Sequence, residues 1–255
     1  KLIVGVRDNL AKFAQTDANG ERGGVDIEIA HELAKRWLGD PSLIEFVTIN
    51  AANQIPTLVN GDVDLLIAAI AATRDRAQLV DFSQAYHVSH NMLIVRNETI
   101  INGLRGLQDK QVAVVEDGSD IEVITGLIAS ESLSITVATQ SSFTTAAEAL
   151  KSGAVEGILL NHLQYEEYFE AQAVEGFRAV QLSESSELIA VALRKNESAL
   201  RNFVNSTLQD IEQDGTLATI YQKWMPTEPL PTFEYFVGES KINALSDLPS
   251  QLSQP

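Results

Sequence analysis

The sequence predicts an α/β protein built as two sheet-and-helix units, each a mostly parallel sheet flanked by helices. Three observations predict it. Short apolar runs alternate with amphipathic helical stretches along most of the chain, the pattern of βαβ units. The alternation comes in two series, one ending near residue 95 and one starting near residue 110. The 255 residues are 45% hydrophobic, enough to build the cores of one or two domains.

The first series opens with a strand over 2–6 and a polar, Gly-rich stretch up to Gly24. A helix follows over 25–38, because Val25, Ile29, Ala30, Leu33, Ala34 and Trp37 share one face at helical spacing. Gly39 and Asp40-Pro41 stop it. A strand over 44–49, a short helix over 52–60 stopped by Gly61, and a buried strand over 63–70 complete the run, with another strand over 92–96. The second series has strands over 111–115, 134–138, 157–160, 177–182 and 188–194, with helices over 119–129, 142–151 and 163–171 between them. Leu200, Phe203, Val204, Leu208 and Ile211 make one face of a helix over 197–213, and a last helix runs over 216–224 after the breaker Gly215. Pro226, Pro229 and Pro231 discourage helix in the tail, where Phe233, Tyr235, Phe236 and Val237 form a small apolar group. Ligands of open α/β sheets bind at the carboxyl ends of strands, so two facing units put a site in the cleft between them.

Composition excludes several functions. A net charge of -17 repels phosphate backbones and anionic headgroups, which argues against nucleic-acid and lipid partners. The absence of cysteine removes disulfides, thiolate metal sites and a Cys nucleophile. The longest apolar run, 65–72, is far short of the roughly 20 residues of a membrane span. The chain starts at Lys1, which suggests a processed protein whose signal peptide has been removed. No GxSxG, Walker loop or GxGxxG occurs. His87 and His90 have a spacing seen in metal sites, but no carboxylate complements them nearby in sequence, so neither metal nor cofactor is called for. Glu166-Glu167 reads as a solvated helix face, not a general acid/base pair.

Three stretches carry a family resemblance. Gly20-Glu21-Arg22-Gly23-Gly24-Val25-Asp26-Ile27-Glu28-Ile29-Ala30 is similar to "dG…G[FY]d[VI]D[LI]a". Ile55-Pro56-Thr57-Leu58, Gly61-Asp62-Val63-Asp64-Leu65, Thr73-Arg74-Asp75-Arg76 and Val80-Asp81-Phe82-Ser83-Gln84-Ala85-Tyr86 resemble "ipaLxxGxvDl…TxxRxxxvdFSxpY". Asp214-Gly215-Thr216-Leu217-Ala218-Thr219-Ile220-Tyr221-Gln222-Lys223-Trp224 is similar to "dGtlaxiyxkW". Together, over roughly residues 1–225, they resemble the family 3 solute-binding proteins of polar amino-acid ABC transporters.

The resemblance implies the two-lobed type II periplasmic-binding-protein fold, with hinge strands near 92–96 and 188–194. Lobe 1 is then 1–95 plus 191–225, lobe 2 is 96–190, and 226–255 is a tail. It implies a monomeric, periplasmic or extracellular binding protein. Such a protein closes on an amino acid or small carboxylate, delivers it to a membrane permease and does no chemistry on it. Arg76 is the residue that holds the ligand carboxylate in this pattern, and a guanidinium fork matches a carboxylate. Gly118-Ser119 matches a turn whose backbone N–H groups receive an anion, and Ser119 is equally an N-cap. Asp8 and Phe13 fall where the family lines the cleft, although Phe13 also reads as a core residue. Arg7 resembles the glutamate and aspartate binders, where it faces the side-chain carboxylate; the other reading is a solvent pair with Asp8.

The sequence also departs from the pattern. Ala71 and Ala69 stand where hydroxyls are usual, leaving only backbone groups. Asp120 replaces the second turn hydroxyl, and Asn161 replaces the Asp that pairs with the ligand ammonium. Ala51 stands where a bulky aromatic is common, which widens the pocket. The expectation is a carboxylate ligand on Arg76 whose amino group is not held in the usual way. The alternatives are a sensory domain of a membrane receptor with this fold, and a dehydratase of cyclic acids.

Overall fold

The computed structural model describes residues 1–233 apart from 11, 18, 51, 117–119, 166, 167, 170–174, 227 and 232. The readings made for Ala51, Gly118, Ser119, Glu166-Glu167 and the apolar group at 235–237 lie outside them.

The chain begins with β1 (Leu2–Val6), then a small antiparallel sheet of β2 (Asn9–Leu10), β3 (Ala14–Thr16) and β4 (Arg22–Gly23). Helix α1 (Val25–Leu38) buries Val25, Ile29, Ala30, Leu33 and Ala34, the stripe read from the sequence. Gly39 ends it at φ 82, its N–H donating to the Lys35 carbonyl at 3.0 Å. Its start depends on Gly24, whose φ is 128 and where a Cβ would stand 2.1 Å from the Phe13 carbonyl oxygen. Gly24→Ala is therefore expected to lose more than about 2 kcal/mol of stability, read as a drop in melting temperature. An unchanged melting temperature would show that the α1 entry relaxes freely.

The next elements are β5 (Ile44–Thr48), α2 (Gln54–Val59), β6 (Leu65–Leu66), the one-turn α3 (Arg76–Leu79) and the 17-residue β7 (Val80–Arg96). A 3-10 turn at Leu104–Leu107 leads to β8 (Gln111–Val115), α4 (Asp120–Glu131), β9 (Thr136–Gln140) and α5 (Phe143–Ser152). Ser142 caps α5 with a reciprocal Thr145 box. Then come β10 (Gly157–Asn161), α6 (His162–Tyr165), the 18-residue β11 (Phe177–Arg194), α7 (Ser198–Gln213) and α8 (Thr216–Trp224).

Eight strands form one sheet in the order β5-β1-β6-β11-β7-β10-β8-β9. β5, β1 and β6 are parallel, as are β10, β8 and β9. β11 runs antiparallel to β6 and to β7, and β7 runs antiparallel to β10. Each end of the sheet is thus a mostly parallel set closed by halves of the same two long strands. The core divides accordingly. Val4, Val6, Leu33, Tyr86, Ile189, Val191, Leu208 and Leu217 pack in one cluster, with α7 and α8 returning to cover it. Leu93, Val95, Val112, Val114, Ile124, Leu159 and Leu182 pack in another.

Two corrections to the sequence reading follow. The strands expected over 92–96 and 188–194 are the ends of β7 and β11, which pair from Arg96–Phe177 through to Val80–Arg194. Along the two strands, Tyr86 and Ile189 pack in the first cluster and Met92 and Leu182 in the others. The β11 register breaks between Leu182 and Ser186, an irregularity that lets the strand turn between cores. The strand expected over 63–70 pairs only at Leu65–Leu66, because Ala69 takes φ 48 and turns the chain out of the ladder. No helix among the described residues is long and apolar enough to cross a membrane.

Candidate functional site

The turn after β6 is tied to β11. The Ala190 N–H donates to the Ile70 carbonyl at 3.2 Å, and the Ala72 N–H donates to the Leu188 carbonyl at 2.8 Å. This fixes the Thr73–Arg76 turn, where the Arg76 N–H donates to Thr73 Oγ1 at 3.3 Å. The Arg76 guanidinium folds back so that Nη1 donates to the Ala71 carbonyl at 3.0 Å. Ala71 thus contributes a backbone oxygen that aims the arginine.

Arg76 is half-buried and feels the charge of several carboxylates. Burial lowers its pKa, opposed by the charges of Glu187, then Asp120, then Glu122. Asp120, the first residue of α4, is fully buried. Burial, reinforced by the Glu187 charge, pushes its pKa up to about 8, against the opposing influence of Gln164 and Arg76. Gln164 lies close enough to favour the ionised form, yet neither Asp120 oxygen completes a well-formed hydrogen bond among the described residues. Glu187 is 5% exposed on β11 and accepts from Asn161 Nδ2 through Oε2 at 3.1 Å. Its Oε1 is buried without a partner among the described residues. Asn161 is locked to the start of α6: its N–H donates to Gln164 Oε1 at 2.7 Å, and its Oδ1 accepts from the Gln164 N–H at 3.0 Å.

The structure therefore brings together Arg76, Ala71, Asp120 and Asn161, and adds Glu187 and Gln164, which the sequence reading missed. One signal for Glu187 was present: a lone acid beside the uninterrupted apolar run Leu188–Leu193, where burial is expected. The other expected residues have these surroundings. Phe13 is fully buried in the first core, its ring edge-on to His87 at 5.1 Å, and this matches the core reading of Phe13. Asp8 is exposed. Arg7 is half-buried, and its charge favours the ionised form of buried Asp26. Ala69 packs against the first core, and its backbone bears on Asp26 and Tyr86. Ser119 lies outside the described residues.

A second buried polar network supports the first lobe beside the crossing. Tyr86 OH donates to Asp26 Oδ1 at 2.6 Å, and Tyr221 OH donates to the Tyr86 carbonyl at 2.6 Å. Having spent its hydrogen there, the Tyr221 oxygen accepts from His87 Nδ1 at 3.2 Å, which fixes the Nδ1-protonated tautomer of the imidazole. Burial pushes the Asp26 pKa up to about 7 and the His87 pKa down to about 4. Both groups are neutral in the interior near neutrality's acid side, as a low-dielectric site requires.

Hollows of about 320 and 370 Å³ flank the second lobe, one beside Arg105 and Leu127, the other beside Phe143 and Tyr168. Neither includes Arg76, Asp120 or Glu187. A cavity of about 240 Å³ at the strand crossing is lined by His87, His90, His162 and Glu228. No group of three or more His, Cys, Asp or Glu among the described residues is placed to hold a metal ion.

Residues 2–227 match the family model of bacterial extracellular solute-binding proteins, family 3. Over 235 residues the chain is 28% identical to the ABC transporter glutamine-binding protein GlnH of Bacillus subtilis (strain 168), covering 90% of this chain and 82% of that protein. Among solved structures it is similar to an ancestral arginine-binding protein bound to glutamine, at 30% identity and TM-score 0.70, covering 88% of this chain and 97% of that one. It is also similar to the ancestral amino acid-binding protein AncCDT-1, a precursor of cyclohexadienyl dehydratase, at 27% identity and TM-score 0.68, covering 88% and 94%.

Proposed function

Since the chain belongs to the bacterial extracellular solute-binding proteins of family 3, we propose that it captures an α-amino acid between its lobes, with Arg76 holding the ligand carboxylate. The closed protein then presents its cargo to the permease of an ABC transporter. One observation carries this reading above the others. Arg76 is oriented by its own Ala71 carbonyl and is acted on by two buried acids, Asp120 on α4 and Glu187 at the strand crossing. A ligand bridging these groups gains contacts with both lobes only when they approach, which is what biases a hinge toward closure. β7 and β11 supply the hinge, and we place the lobe boundary where the core changes over, at 87–91 and 183–188. The named ligands of the relatives, glutamine and arginine, fit an anchor for the shared α-carboxylate.

The proposal includes binding without turnover, a monomeric state and a location outside the cytoplasm. Its test is a thermal-shift screen of the twenty amino acids and their amino-free acids. A ligand at 100 times its Kd adds about 2.7 kcal/mol of stability, so the melting temperature rises by roughly 5–10 °C. A screen in which no amino acid moves the transition would overturn the reading. Continued heat release after saturation in a calorimeter would show turnover and overturn the binding-only part.

A further inference from the structure

We propose that the ammonium group of the bound amino acid is held jointly by Asp120 and Glu187, opposite Arg76, so that the cleft takes neutral and basic α-amino acids and rejects acidic ones. This rests on the reading of Arg76 as the carboxylate anchor.

Asn161 is already engaged at both ends of its amide. Its Oδ1 accepts from the Gln164 N–H and its Nδ2 donates to Glu187. The acceptors left open nearby belong to the two carboxylates. Asp120 is fully buried with both oxygens unpartnered among the described residues, and Glu187, also buried, has Oε1 unpartnered. That leaves two oxygens from Asp120 and one from Glu187, matching the three N–H donors of an ammonium. Both carboxylates act on Arg76, so they lie near the guanidinium that holds the ligand carboxylate in this reading.

Charge sets the class of ligand. Arg76 is one cation against Asp120, Glu187 and Glu122. A zwitterion brings its own ammonium to this cluster, and a basic side chain adds a second favourable charge. A side-chain carboxylate brings a further like charge into a desolvated acidic site. Arg7 is not among the charges that act on Arg76 or Asp120, while its charge does act on Asp26.

The arrangement couples binding to protons. The charged groups acting on Asp120 are Glu187, which disfavours its ionisation, and Arg76, which favours it; Gln164 adds a dipole on the same side as Arg76. His90 and His162, across the crossing, act on His87. Burial and the Glu187 charge outweigh Arg76 and favour retaining a proton on Asp120 near neutral pH. An arriving ammonium takes over the proton's role, and the proton leaves to solvent. Affinity therefore rises with pH until Asp120 is ionised in the free protein.

Calorimetry on the full chain tests this with L-glutamine, L-arginine, their amino-free analogues 4-carbamoylbutanoate and 5-guanidinopentanoate, and L-glutamate. The amino-free acids and L-glutamate are expected to bind about 100-fold more weakly than the matching amino acids. At pH 7 the binding enthalpy is expected to differ between phosphate and Tris buffers through proton release. D120N and E187Q keep side-chain shape. Each is expected to cut the discrimination against the amino-free acid to less than about ten-fold, and D120N to abolish the buffer dependence. Circular dichroism confirms that both variants fold. Unchanged discrimination in both variants overturns the proposal, as does preferential binding of L-glutamate. If R76A loses binding while D120N and E187Q behave as the unmodified chain, only the ammonium assignment falls. If R76A binds L-glutamine undiminished, or no probe binds at all, the carboxylate reading falls with it.

Discussion

Arg76→Ala is expected to weaken binding of the best amino-acid ligand by about 100-fold or more, with little change in the fold of the free protein. Truncating one member of a desolvated, hydrogen-bonded charge pair costs about 2–5 kcal/mol, because the partner charge is left buried without compensation. The guanidinium is half-buried, so a lysine or solvent cation does not readily take its place. The fold survives because α3 is a single turn with Ala77, Gln78 and Leu79 exposed and contributes no residue to the buried core. Arg76→Lys is expected to recover part of the loss, since it restores a charge but cannot both donate to the Ala71 carbonyl and present a planar fork. Titration calorimetry of the three proteins reads the series. Equal affinities across it would remove Arg76 from the site.

Stability is expected to fall as pH rises from 5 to 8, by a few kcal/mol in all. Asp26 and Asp120 are raised from the ordinary carboxylate value to about 7 and about 8. Between the unfolded and folded pKa values the native state holds more protons than the unfolded chain, so each group's contribution is fully present below about pH 4 and disappears as pH rises through its folded value. His87 acts the other way. Lowered to about 4, it contributes stability present above about pH 6.5 and lost as pH falls toward 4. One histidine offsets one acid over that window, and the second acid leaves a net fall with rising pH. Above pH 6.5 the acids act alone. Asp26→Asn and Asp120→Asn are each expected to flatten the profile and to raise stability at pH 8 by on the order of 2 kcal/mol. Urea unfolding at pH 5, 6.5 and 8 decides it. A chain more stable at pH 8 than at pH 5 would mean that these carboxylates are solvated in the native state.

Regular amphipathic elements were legible from the chain. The helices covering the first lobe, α1, α7 and α8, were placed within a residue because their apolar stripes have helical period and glycines end or separate them. β7 and β11 were cut short for a physical reason. Where they cross between cores, His87, Ser89, Asn91 and Glu187 are buried but polar, so hydrophobic periodicity vanishes although the ladder continues. Ala69 at φ 48 was equally invisible, because nothing in an alanine announces a left-handed turn. Arg76 was singled out through its motif context, and no local property of the arginine would have done so. Glu187 was missed because an acid beside an apolar run signals burial at most, whereas its neighbours Asn161 and Asp120 are brought to it only by the tertiary fold. Phe13 sits in the first apolar core, and a phenylalanine reads the same there as in a cleft wall.

The most direct test is a crystal structure of the chain grown with the amino acid that most raises its melting temperature. The account expects density between the two halves of the sheet, with the ligand carboxylate in hydrogen-bond contact with the Arg76 guanidinium and its ammonium toward Asp120 and Glu187. Ligand density in one of the flanking hollows of the second lobe, with Arg76 free of it, would contradict the account.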